Sequence, residues 1–199
     1  MGESSGFQAV VARQLQDTAA LYRALSDEQV ALVAKAGSLM IDAMRAGRKI
    51  IWFGNGGSAT QSQHMAAEFV GRYLRERRSL PSISLTENMG SVTAIGNDYG
   101  YERVFERQLE GLSQRGDVAV GLSTSGSSKN VLAALRRAKD LGLSRIGLTR
   151  AGATPMREVC DVCIEVPSTT TARIQEVHLT VRHILCGLGD HALSDAASA

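Results

Sequence analysis

A histidine and a glutamate four residues apart, His64 and Glu68, share one face of a helix. Their neighbours Met65, Ala66, Ala67, Phe69 and Val70 are apolar or small. Placing such a pair among apolar groups is costly unless the two bond to each other or hold something. The helix alone leaves both readings open: a buried His–Glu hydrogen bond or a ligand site. Just upstream, Gly54-Asn55-Gly56-Gly57 ends the apolar run Ile50–Phe53. Three glycines in four residues permit positive φ and let a ligand approach the backbone. Ser58 is expected to cap a helix running to about Arg72. A strand, a glycine turn and a helix start form an anion site, because free N–H groups and the positive helix end face one place. The turn is not G-x-G-x-x-G, since Ala59 stands at the third glycine, and no Gly-Lys-Ser/Thr follows to make a P-loop.

The same arrangement recurs downstream. The run Val118–Leu122 leads into Ser123-Thr124-Ser125-Gly126-Ser127-Ser128-Lys129-Asn130, then a helix to about Leu141. Five hydroxyls in six residues beside exposed N–H groups suit a phosphate monoester. A last helix, Thr171 to Leu193, carries Gln175, His178 and His183. Gln175 and His183 are eight apart, about 80° around a helix, and so share one broad face. His191 reads as structural, and the role of His178 stays open. Arg75, Arg77 and Arg78 read as a solvated loop. Arg72, four after Glu68, is placed to pair with it or to reach an anion.

These groups must be held by a frame, and the frame is legible as alternating elements. Residues 6–26 and 27–47 form two helices with apolar faces, suited to packing or oligomerisation. Strands are expected at Ile50–Phe53, Pro81–Thr86, Val118–Leu122, Arg145–Thr149 and Cys163–Val166. Shorter helices are expected at Ser91–Gly96, Val104–Leu112 and Ala153–Val159, with a polar turn at Asn97–Tyr101. Strands alternating with helices imply an α/β protein with a doubly wound, parallel five-stranded sheet. Ligands of such sheets sit beyond the carboxyl ends of the strands, where both loops lie.

Composition narrows the class. The chain has 199 residues, 44% apolar and 21% charged, with net charge +2. That suits a single domain over 1–199, with the helices of 1–47 as an extension. The charge balance argues against a nucleic-acid protein of the strongly basic kind. No apolar run is long enough for a membrane span, and no signal peptide is recognisable at the start. Three cysteines, Cys160, Cys163 and Cys186, suggest reduced thiols and a cytoplasmic location. Cys160-Asp-Val-Cys163 lacks the second pair of a zinc ribbon and reads as small buried residues.

Taken in order, Gly54-Asn55-Gly56-Gly57-Ser58, His64-x-x-x-Glu68, Gly96-Asn97-Asp98-Tyr99-Gly100, Ser123-Thr124-Ser125-Gly126 and Ile174-Gln175-Glu176 with His183 resemble the phosphoheptose isomerases of the sugar isomerase (SIS) domain superfamily. The likeness spans nearly the whole chain. It implies conversion of sedoheptulose 7-phosphate to glycero-manno-heptose 7-phosphate in a homotetramer with active sites between subunits, with neither nucleic acid nor membrane as partner. It also implies one zinc per subunit, held by His64, Glu68, Gln175 and His183. Asn55, Gly56, Gly57, Glu68, Asn97, Asp98, Ser123, Thr124, Ser125, Ser128 and Gln175 are implied to contact the sugar phosphate. An enediolate route needs a base, an acid and a group that stabilises the oxyanion. Glu68 suits the base, His183 the acid and zinc the Lewis acid, with the reverse assignment of the two side chains left open. Asn88, Gly90 and Ser127 depart from the family pattern beside the sugar loops. A DnaA-binding or sugar-phosphate-binding module of the same fold is the non-catalytic alternative, and an isomerase of another heptose pathway is the catalytic one. Retention of all four metal-type residues disfavours the DnaA-binding module.

Overall fold

The structure, a computed structural model, describes the backbone of residues 2–194 and the side chains of residues 6–194. Two helices, α1 (Gly2–Arg23) and α2 (Asp27–Arg45), precede the first strand. The order is then β1 (Ile50–Gly54), α3 (Gly57–Val70), β2 (Ser82–Ser84), α4 (Met89–Tyr99), a 3₁₀ turn at Tyr101–Arg103 and α5 (Glu106–Leu112). It closes with β3 (Val118–Leu122), α6 (Lys129–Asp140), β4 (Ser144–Arg150), α7 (Pro155–Val159), β5 (Val162–Val166) and α8 (Thr171–Leu193). The five strands form one parallel sheet in the order β2-β1-β3-β4-β5. The expected α/β sheet is therefore present.

Alternation along each strand divides the core in two. Ile50 and Trp52 of β1 face one side, with Met40 and Met44 of α2, Met65 and Phe69 of α3 and Val177 and Leu185 of α8. Ile51 and Phe53 face the other, with Leu109 of α5, Val131 and Leu135 of α6 and Met156 of α7. Trp52 is fully buried, and its indole N–H donates to Ser82 Oγ at 2.9 Å, tying β1 to β2. The chain runs out along β1 and steps to β2 on one side, then returns to β3 on the other. The order reverses between β1 and β3, and a crevice opens beyond their carboxyl ends.

Several elements depart from the reading of the sequence. Ser58 does not cap α3; Gly56 does, with φ 55°, and Ser58 is buried one turn position inside. Asn97 and Asp98 lie in the last turn of α4 rather than in a polar turn. Asn88 caps that helix by accepting from Ser91 N at 3.0 Å, which starts it two residues earlier than expected. The second strand shrinks to three residues.

Arg77 is not a solvated loop residue. Its side chain is 1% exposed, and its Nε donates to Asp190 Oδ1 on α8 at 2.7 Å. Its Nη groups donate to the carbonyls of Glu68 at 2.8 Å and Phe69 at 2.9 Å, which α3 leaves unpaired at its end. Asp190 also accepts the N–H groups of Leu74 at 2.7 Å and Arg75 at 2.9 Å. Burial pushes the Asp190 carboxyl up, but these N–H groups and the guanidinium outweigh it and hold it below the usual range. One ion pair thus fixes the end of α3 against α8. Replacing Asp190 with Ala strands a buried guanidinium and should destabilise the fold by about 3–5 kcal/mol in urea titration; a loss under about 1 kcal/mol would show that the pair does not organise this contact.

Candidate active site

Helices α3 and α8 run side by side from that anchor. Gln61 donates to the Gln175 carbonyl at 3.3 Å, and one turn further along α3 and two along α8 His64 meets His183. The two Nε2 atoms stand 3.1 Å apart, with the rings edge to face at 81°. Glu68 Oε1 lies 3.5 Å from His64 Nε2. Tyr73 stacks on His183, with centroids 5.5 Å apart and planes at 12°. Burial and the His64 ring favour neutral His183, pulling its pKa below the ordinary histidine value, while Glu68 pulls the other way.

Beneath this trio lies a buried polar layer. Arg182 is fully buried; its Nε donates to the His178 carbonyl at 2.8 Å and its Nη2 to Gln61 Oε1 at 2.6 Å. His178 bonds through Nε2 to the Thr149 carbonyl at 3.2 Å. Both belong to the scaffold of α8, and the open question over His178 closes in favour of a structural role.

The glycine turn leads straight into this region. Gly56 adopts a backbone that side chains disfavour, and it delivers the chain into α3 without a side-chain cap. The Gln175 amide lies against the start of α3, where a Cβ on Gly57 would fall 2.8 Å from its Nε2. On the other side of the reversal, the Ser123 hydroxyl meets Ser128 Oγ at 2.8 Å and Ser125 Oγ at 3.3 Å. It also accepts Gly126 N–H at 3.1 Å, which closes the loop around a cluster of hydroxyls. Thr124 is half-buried beside Ser125 and Arg150.

The structure brings together His64, Glu68 and His183. It places Asn55, Gly56, Gly57 and Gln175 around the first loop, and Ser123, Thr124, Ser125 and Ser128 around the second. Asn97 and Asp98 are exposed; Asn97 donates to Asp98 at 2.7 Å. Gln175 and His183 share a face of α8 but stand about 12 Å apart along it. Arg72 is exposed and makes no ion pair with Glu68 among the described residues. Tyr73, Gln61 and Arg182, and the Asn130 and Tyr101 side chains that reach Asn55, were not singled out by spacing. Asn130 ends the serine-rich turn, and that position is the only signal it carries.

Among the described residues no group of three or more His, Cys, Asp and Glu side chains closes into a metal cluster. The donor chemistry nonetheless fits zinc. Two imidazole nitrogens and a carboxylate are common zinc donors, and tetrahedral ligands at about 2.0–2.1 Å stand about 3.3–3.4 Å apart. The observed 3.1 Å and 3.5 Å separations bracket that spacing.

A parallel sheet with two small-residue loops at its reversal is the architecture of a sugar isomerase domain, and the SIS domain family model matches residues 15–150. The phosphoheptose isomerase of Rhodospirillum rubrum is 52% identical over 161 residues, covering 81% of this chain and 86% of that protein. The Roseiflexus enzyme of the same name is 43% identical over 190 residues, 96% of each chain. The solved phosphoheptose isomerase of Neisseria gonorrhoeae superposes with a TM-score of 0.87 at 36% identity, covering 93% of this chain and 99% of that one. This chain therefore belongs to the phosphoheptose isomerases, an enzyme family within the SIS class.

The scaffold has a pH signature. Burial first, with Arg182 adding to it, pushes His178 down to about 3, against the hydrogen bond to Thr149. His178 is therefore neutral when folded and takes up a proton on unfolding below about pH 6.5. Its contribution is fully present above that value and is lost as pH falls toward 3. His178→Gln should flatten the stability-against-pH slope between pH 6 and 4.5 by about 1.4 kcal/mol per pH unit. An unchanged slope in denaturant titrations would contradict the neutral, buried state.

Proposed function

We propose that this chain interconverts sedoheptulose 7-phosphate and glycero-manno-heptose 7-phosphate by moving a proton between two adjacent carbons. The observation that carries the reading is the meeting of His64, Glu68 and His183 next to two anion-type loops at the sheet reversal. The Ser123–Ser128 hydroxyls and the start of α6 bind the phosphate. Asn55, Gly56, Gly57 and Gln175 hold the sugar end, with Asn97 and Asp98 contributing from α4. Glu68 takes the carbon-bound proton and His183 passes protons to and from the substrate oxygens. The fall in His183 basicity suits that shuttle, since the neutral ring can both give and accept. Zinc at His64, Glu68, Gln175 and His183 supplies Lewis-acid polarisation when bound.

The site is open on one side: His64 is exposed and His183 only half-buried. Exposed Phe7, Val10, Val11 and Leu15 line α1, and an apolar cavity of about 250 Å³ opens beside Val30 of α2 and Ile184 of α8. These features offer apolar surface for subunit contacts, and so support a homotetramer with active sites between subunits. Three unbridged thiols, at Cys160, Cys163 and Cys186, support a cytoplasmic location. No helix among the described residues is long and apolar enough to cross a membrane. A non-catalytic SIS module is not favoured, because the trio is intact and the similar curated proteins are named isomerases.

Incubation with sedoheptulose 7-phosphate, followed by NMR, should show the aldose product. Protein purified without added metal or chelator should carry about one zinc per subunit. Chelation should remove both metal and turnover, and zinc should restore them. An inert preparation with zinc bound would overturn the isomerase reading, and full turnover without metal would remove the Lewis-acid role.

A further inference from the structure

One side-chain system joins the two loops across the reversal between β1 and β3. Asn55 Nδ2 donates to Asn130 Oδ1 at 2.9 Å, and Asn130 Nδ2 donates back to Asn55 Oδ1 at 2.8 Å. The Tyr101 hydroxyl donates to the same Asn55 Oδ1 at 3.0 Å. Asn130 is 3% exposed, whereas Tyr101 is largely open to solvent. The Asn130 Oδ1 also accepts the N–H of Val131 at 2.9 Å.

That last bond decides the orientation of all three groups. A backbone N–H only donates, so the oxygen edge of Asn130 must face it. The amide edge of Asn130 is then committed to the Asn55 oxygen. Asn55 Oδ1 is occupied by Asn130 and Tyr101, and one N–H of Asn55 takes no acceptor among the described residues. The Tyr101 hydroxyl has spent its only proton and keeps its lone pairs. Both side chains, with Glu102, Ser128, Lys129 and Asn130, line a cavity of about 370 Å³.

We infer that Asn130 is a positioning residue, and with Tyr101 a specificity determinant, for the sugar chain of the substrate. Asn130 holds Asn55 as a hydrogen-bond donor and Tyr101 as an acceptor. A group that accepts from one and donates to the other fits this pattern, and a sugar hydroxyl does both. A phosphate dianion has no proton to give Tyr101 and is left to the serine loop. The cavity therefore reads a hydroxyl of the polyol chain, and the amide pair keeps the reader from turning over. The inference rests on the isomerase reading and names the part of that site that recognises the sugar.

Tyr101→Phe and Asn130→Ala, singly and together, test it by steady-state kinetics on sedoheptulose 7-phosphate, with inorganic phosphate as competitive inhibitor. Tyr101→Phe should raise KM about fivefold with kcat nearly unchanged. Asn130→Ala should raise it by about as much or more, and adding Tyr101→Phe to Asn130→Ala should cost less than twofold further, because Asn55 is already free to turn. The inhibition constant for phosphate should stay within about twofold in every variant. Wild-type KM in Tyr101→Phe, full additivity in the double variant, or a phosphate constant rising in step with KM would each overturn the inference. Tyr101 is exposed, so its variant keeps the test alive even if Asn130→Ala fails to fold. A wild-type chain that does not act on the ketose would remove the isomerase reading itself, and this inference with it.

Discussion

The closeness of β1 and β3 at their carboxyl ends is the constraint from which the site follows. Gly54 pairs with Leu122 in the parallel register. A Cβ there would come within 2.9 Å of both the Leu122 carbonyl and the Ser58 Cβ. Only glycine lets the strands run together to their last residues and lets α3 leave at once. Both loops then emerge side by side at the place where the strand order reverses, and Asn55 and Asn130 are near enough to exchange two hydrogen bonds. The loops proposed to recognise phosphate and sugar are neighbours because two strand ends are.

The chemistry is set by a second contact, between α3 and α8. The Arg77–Asp190 pair satisfies the carbonyl end of α3 and pins it to the last turns of α8. Cys186 packs on Met65 within the same seam. With that register held, His64 faces His183, and Glu68 follows one turn further along α3. Among the described residues the buried Arg182 has no carboxylate partner and its Nη1 makes no hydrogen bond, so its cost is carried by the packing around it. α8 buries Ile174, Val177, Val181 and Leu185 in the core and turns His183 toward His64, so that one helix serves core and site together.

Much of this was legible in the sequence because it is local. β3 and α8 begin and end where the apolar runs and helical spacing place them. The glycine and serine loops announce themselves by composition, and His64 with Glu68 by spacing. What was not legible depends on partners far away in the chain. Arg77 sits in a run of arginines that looks solvated, and only Asp190, on another element, turns it inward. Asn130 looks like the tail of a turn until Asn55 is set beside it. Ser58 has the residue type of a cap, yet the backbone of Gly56 begins α3 first.

Glu68, carried by α3 beside His64, is the group proposed to move a carbon-bound proton. Turnover of sedoheptulose 7-phosphate in deuterated water tests it most directly, with deuterium read at C2 of the aldose and C1 of the residual ketose. Deuterium is expected in both with the wild-type chain. None is expected with Glu68→Gln, assayed with its zinc content matched to wild type. Wild-type exchange in Glu68→Gln, or turnover without any solvent deuterium in the wild-type product, would contradict this role for Glu68.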